Sequence, residues 1–160
     1  MHLAFGSDHA GYDLKQILVD AARGWGHEVT DFGTHGPESV DYADFGEPVA
    51  RAVVDGTADL GVVLCSNGVG ISITANKVPG VRAALCHTSW GAARARQHAN
   101  ANVLALGAWE IGRGVAEDIL RAGQADLIAV GREILNNPNW PMDAALKLGV
   151  EGPFRNVPPQ

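Results

Sequence analysis

Five short apolar runs, His2–Phe5, His27–Thr30, Leu60–Leu64, Arg82–Leu85 and Val103–Leu106, are each bounded by Gly, Asp or Asn and alternate with stretches of helical spacing. Runs of this length with such borders read as strands. Leu14, Ile17, Leu18, Ala21 and Trp25 recur at helical intervals after the first run, and Phe45, Val49 and Val53 do so after the second. Glu47 and Arg51 stand four apart on that second helix, a spacing that adds local support. A small-residue helix follows the third run, and Ser89 to Gln97 reads as another, opening at Ser89 as its N-cap and fading at Asn100. The alternation predicts a mainly parallel sheet with helices on both faces, a three-layer α/β/α arrangement joined by right-handed crossovers.

Composition narrows the function classes. With 160 residues, 46% of them hydrophobic, the chain suits one globular domain with a proper core. No apolar run approaches the roughly 20 residues that span a bilayer, so no membrane association is expected. The start, MHLAFGSDHAG, lacks a basic segment followed by an apolar one, and no signal peptide is expected. Cys65 and Cys86, the only cysteines, are too few for a disulfide framework or a four-Cys zinc site, and a cytoplasmic, reduced location is the default. The net charge of −6, with 12 scattered Lys and Arg, opposes nucleic-acid binding. Arg94 and Arg96 come nearest to a basic cluster and are expected on a solvated helix face. A small anion is still compatible, because a few backbone N–H groups and one or two cations suffice for it.

In open parallel sheets ligands bind at the carboxyl ends of the strands. That rule places Gly6-Ser7-Asp8-His9, Asp31-Phe32-Gly33-Thr34, Cys65-Ser66-Asn67-Gly68 and His87 on one rim. Most informative is VLCSNGVGISITANKVPGVRAALC at 63–86, where an apolar run ends in Cys65 and opens into a Gly-rich turn. A nucleophilic or basic side chain beside free backbone N–H groups suits an oxyanion, whereas buried cysteines and Gly turns are often only structural. Asp8 and His9 suit sugar hydroxyls or proton transfer, or else Asp8 caps the next helix and His9 is merely exposed. His98, near a helix end, reads equally as a general acid/base or as a histidine satisfied by the helix dipole. The six His show neither HxH nor HExxH spacing, so no metal is expected. SNGVGIS lacks the Gly-Lys-Ser/Thr of a P-loop, and Ile73 occupies the final Gly position of GxGxxG.

GSDHAG at 6–11, Asp41-Tyr42, the block at 63–86 and RQHANANVLALG at 96–107 together resemble the ribose-5-phosphate isomerase B and galactose-6-phosphate isomerase family over roughly residues 1–120. The resemblance implies a Rossmann-like fold, a homodimer with active sites at the subunit interface, and aldose–ketose isomerisation without metal or cofactor, on ribose 5-phosphate or a nearby aldose phosphate. By it Cys65 moves the proton between C1 and C2, His98 helps open the sugar ring, and Asp8 and His9 bind substrate. The turn Ser66, Asn67, Gly68, Val69 and Gly70 holds the enediolate oxygens. Cys can act as base when a helix N-terminus, here expected at Gly70-Ile71-Ser72, favours its thiolate. Cys86 is expected to be structural.

The chain departs from that family at four places. Asn67 stands where Thr or Ser is frequent, with an amide that still donates. Ala99 stands where an Asn commonly follows the ring-opening His, and Trp109 where many members carry a phosphate-binding Arg. The usual Gly-Gly-Arg-His segment near the C-terminus is absent. Composition shifts after about Arg121, and GQADLIAVGREILNNPNWPMDAALKLG at 123–149 resembles the carboxyl-terminal strand and helix of the old yellow enzyme family. Gly131-Arg132 would match its flavin-phosphate pair, but a (β/α)₈ barrel needs about 250 residues and flavin binding does not carry over. The expected division is an isomerase-like domain at 1–121 and an atypical extension at 122–160. Two alternatives stay open: an isomerase of an unphosphorylated or shorter sugar, and a non-catalytic sugar-binding module.

Overall fold

The computed structural model describes residues 1–111. The elements run β1 (His2–Ser7), α1 (Tyr12–Gly24), β2 (Glu28–Asp31), α2 (Ala43–Val54), β3 (Leu60–Cys65), α3 (Val69–Asn76), β4 (Ala83–Leu85), α4 (Ser89–Ala99) and β5 (Val103–Gly107). Every strand pairing is parallel, and the order across the sheet is β2-β1-β3-β5-β4. All five expected strands are present, shifted by no more than two residues at either end.

Strand alternation divides the core in two. Leu3, Phe5, Leu60, Val62, Leu64 and Leu106 face α1 and α4, meeting Leu14, Leu18, Val19, Ala22 and Ala92. Ala4, Val63, Cys65, Val103 and Ala105 face α2 and α3, meeting Val49, Ala50, Ile71 and Ala75. A strand covered on both faces must be apolar throughout, and all six residues of β3 are buried. This is the expected three-layer Rossmann-like arrangement. The chain runs from β1 outward to β2, then crosses back to β3 on β1's other side. The crevice between the carboxyl ends of β1 and β3 is therefore the topological switch point, where such folds bind their ligands.

Two local readings need correction. The cap of α4 is Thr88, not Ser89: its backbone is extended (φ −141°, ψ 153°) and its Oγ1 accepts from the Gly91 N–H at 3.1 Å. Of the two neighbouring hydroxyls, only the one outside the helical backbone can turn back to the first-turn amides. Arg96 is not on a solvated face but 5% exposed, donating to the Asn100 side chain and to the Ala101 carbonyl at 3.0 Å. It satisfies carbonyls at the carboxyl end of α4. Arg94 does lie on the exposed side. The Glu47–Arg51 pair forms at 2.6 Å, exposed on both sides, and contributes little.

One buried contact had no sequence signal. Lys15 is fully buried, with its ammonium 2.5 and 2.6 Å from the two oxygens of Asp31 and 2.9 Å from the Thr34 carbonyl. It ties α1 to the loop after β2, which continues alongside β1 through Ser7 N–H to Gly33 O and Thr34 N–H to Ser7 O, each 2.7 Å. The end of β1 is thereby held from one side just before Asp8.

Candidate active site

The switch-point crevice is built by the turns after β1 and β3. Asp8 bridges them, its N–H donating to the Leu64 carbonyl at 3.2 Å. One carboxylate oxygen accepts from the Gly11 N–H at 3.0 Å, which closes the turn before α1. Asp8 thus holds the turn that leads into the helix and still carries a second oxygen. His9 is half-buried rather than exposed, and its Nδ1 accepts from the Val40 N–H at 3.2 Å. In the neutral ring the proton then sits on Nε2, which makes that nitrogen a donor suited to a hydroxyl.

Cys65 ends β3 and is 3% exposed, with its side chain on the α2/α3 face. Its Sγ accepts from the Gly68 N–H at 3.1 Å and lies 4.0 Å from Asn67 Oδ1. An N–H aimed at sulfur interacts more strongly with a thiolate than with a thiol. The amide that does this belongs to Gly68, the cap of α3, two residues earlier than the Gly70-Ile71-Ser72 expected from sequence. Gly68 has φ +77°, and a Cβ there would come within 2.4 Å of Leu85 and 2.8 Å of the Leu106 backbone. Only glycine fits, and the sharp turn it permits points the helix N-terminus back at the sulfur.

Asn67 turns its Oδ1 to the Val69 N–H at 3.1 Å, which satisfies one orphan amide of α3 and leaves the side-chain NH₂ available. Among the described residues the amides of Ser66, Asn67 and Gly70 have no protein partner. A thiolate beside such N–H groups can take a proton from a carbon acid, and the N–H groups can stabilise the oxyanion that results. Tyr42 lies flat against Gly70, where a Cβ would meet its ring at 2.7 Å. No group of three or more His, Cys, Asp or Glu among the described residues is arranged to hold a metal.

The other cysteine stands apart from this arrangement. Burial pushes the Cys86 thiol above its ordinary value of 9.0. An unfolded chain ionises that thiol first as pH rises, so its contribution to stability is whole below about pH 9 and fades as pH climbs through the raised value. Cys86→Ala should therefore show a smaller fall in urea midpoint between about pH 8 and about pH 10 than the parent, with little change in turnover at neutral pH.

His98 is not brought to Cys65. α4 runs antiparallel to the strands, and its last residues meet the starts of β4 and β5. There Arg82 Nε donates to the Asn100 carbonyl at 2.6 Å, and Asn102 Nδ2 to Gly80 O at 3.1 Å. His98 therefore lies toward the amino-terminal ends of the strands, whereas Cys65 stands at their carboxyl ends. It is exposed, accepting at Nε2 from Arg94, whose guanidinium also stacks over Trp90. Arg113, Arg132 and the stretch resembling old yellow enzyme lie outside the described residues.

Fold and crevice together define an open, all-parallel α/β protein whose candidate ligand site is the switch point between β1 and β3. The Ribose/Galactose Isomerase family matches residues 3–126, and the chain belongs to that family. It is 43% identical over 120 residues to ribose-5-phosphate isomerase B of Escherichia coli, covering 75% of this chain and 80% of the relative. Ribose-5-phosphate isomerase B of Clostridium thermocellum superposes with a TM-score of 0.75 at 47% identity, over 85% of this chain and 98% of that one. The Mycoplasma genitalium enzyme, solved with bound ribulose 5-phosphate, gives a TM-score of 0.72 at 38% identity, over 75% and 80%.

Proposed function

We propose that the protein is an aldose–ketose isomerase that interconverts ribose 5-phosphate and ribulose 5-phosphate through a cis-enediolate. The observation that carries this reading is Cys65 at the switch point, hydrogen-bonded by Gly68 N–H and followed by the amides of Ser66, Asn67 and Gly70, which have no partner among the described residues. Cys65, as the thiolate, takes the proton from C2 of the open-chain aldose and returns it to C1, the hydroxyl proton passes from O2 to O1 across the cis-enediolate, and the amides and the Asn67 side chain hold the two oxygens. Asp8 and His9 hold sugar hydroxyls through a carboxylate oxygen and Nε2–H. The reaction is redox-neutral within one molecule and needs neither a metal nor a redox cofactor.

Ring opening falls to His98, which reaches a Cys65 crevice only from a second copy of the chain. Exposed apolar residues on the same helices support such pairing: Trp90 at 70% on α4, and Val69 at 44% with Ile73 at 53% one turn apart on α3. We therefore read the working unit as a homodimer with shared sites. Two free cysteines and membership in a family of metabolic isomerases support a cytoplasmic location. Residues 1–121 form the catalytic domain in this reading and 122–160 an extension, and with Trp109 at the usual Arg position phosphate discrimination is expected to be weak unless Arg113 or Arg132 takes over.

Turnover of a panel of aldoses, phosphorylated and free, tests the reading. Ribose 5-phosphate should be converted, and it should exceed ribose by about ten- to a hundredfold in kcat/KM if an arginine meets the phosphate. Equal conversion of both would favour the free-sugar alternative, and binding with no conversion of any sugar the non-catalytic one.

A further inference from the structure

The turn after β5 is stitched to the Cys65 turn. Ala108 N–H donates to Cys65 O and Trp109 N–H to Ser66 O, each at 2.9 Å. Gly107 lies so close to Asn67 that a Cβ would come within 2.8 Å of its carbonyl group. Buried Ile111 anchors the far side of the turn. The backbone of Trp109 is thus fixed beside the catalytic turn, yet its side chain is 78% exposed, more than any other large hydrophobic residue described. An indole held this way contributes almost nothing to the core.

Charge on the rim complements this. The rim loops 6–11, 31–42, 65–69, 86–88 and 107–111 contain no Lys or Arg. Lys15, which begins near the rim, is engaged by Asp31. The described rim therefore offers a substrate hydroxyl-binding groups at Asp8 and His9, free amides at the Cys65 turn, and an aromatic face at Trp109.

We propose that Trp109 is a specificity-determining residue, its indole taking the C–H face of the sugar's far end, the carbons beyond C1 and C2. Sugar C–H bonds carry partial positive charge, and the indole face presents the strongest negative quadrupole of the aromatic side chains. The contact deepens the isomerase reading and rests on it. It selects by chain length: a substrate of five carbons reaches the indole, and one of three carbons ends at the amides. It needs no charge at the far end, so it serves ribose and ribose 5-phosphate alike.

The test compares the intact chain, Trp109→Ala and Trp109→Phe on ribose 5-phosphate, ribose and glyceraldehyde. Trp109→Ala should raise KM for both five-carbon sugars by on the order of five- to tenfold, leave kcat nearly unchanged, and leave glyceraldehyde within about twofold. Trp109→Phe should keep most of the five-carbon affinity. Equal losses on all three sugars, or none, would overturn the assignment. A second readout needs no turnover: Trp109 emission, taken as the difference between the parent and Trp109→Phe, should be quenched by acrylamide in the free protein and shift on adding ribose 5-phosphate. Emission already shielded in the free protein would mean that the extension or a second copy covers the indole, and would also overturn the proposal. If the parent converts no sugar, the isomerase reading fails, and the emission change still decides whether the indole meets the sugar.

Discussion

Cys65→Ala is expected to lower isomerase turnover by roughly a hundred- to ten-thousandfold, the span associated with loss of a general base. In the proposed mechanism alanine removes the base that lifts the proton from C2. The bend at Gly68 is expected to survive the loss of the N–H to sulfur hydrogen bond, because glycine adopts its left-handed φ of +77° without strain. Sugar binding should therefore persist, and the loss should fall on kcat more than on KM. Isothermal binding of ribulose 5-phosphate to the variant, alongside its rate, separates the two. Parent-like turnover would remove Cys65 from the mechanism.

The second large effect concerns assembly. His98→Asn should abolish most turnover of cyclic sugars while sparing glyceraldehyde, which is too short to form a ring. Because His98 lies toward the amino-terminal ends of the strands and Cys65 at their carboxyl ends, each site in the proposed dimer takes one residue from each copy. Mixing inactive Cys65→Ala chains with inactive His98→Asn chains, after dissociation and reassociation, should then restore about a quarter of parental activity. Half the dimers are mixed, and each of those regains one intact site of two. No recovery on mixing would show that both residues serve the same chain's site, and undiminished turnover of cyclic sugars by His98→Asn alone would show that His98 has no part.

The sheet was legible because its signals are local. Apolar runs with Gly, Asp or Asn borders locate strands without knowledge of what packs on them, and the switch-point rule then gathers Asp8, His9 and Cys65 on one rim. The resemblance added roles, and the fold separated them: His98 stands in the last turn of a helix that must run back down the sheet, so its motif position says nothing of proximity to Cys65. Long-range partners left no trace in sequence. Arg96 reads as a solvated cation until the end of α4 closes over it, and nothing in the sequence marks Lys15 as the buried partner of Asp31. His9 reads as exposed because the amide that holds it, Val40, lies 31 residues away. Thr88 and Ser89 are chemically interchangeable as caps, and only backbone geometry decides between them.

The Lys15–Asp31 pair constrains how this chain can change over generations. Either partner lost alone strands a charge inside the protein, at about 3–5 kcal/mol, against a total stability of about 5–15 kcal/mol for a typical domain. Replacing both together with apolar residues of matching volume is often neutral or favourable. The two positions are therefore coupled: each single step costs more than its share of the double step, which still leaves the Thr34 carbonyl and the Gly33 N–H without their side-chain partners. Drift at this site must cross a valley, and a lineage keeps both residues or trades them as one.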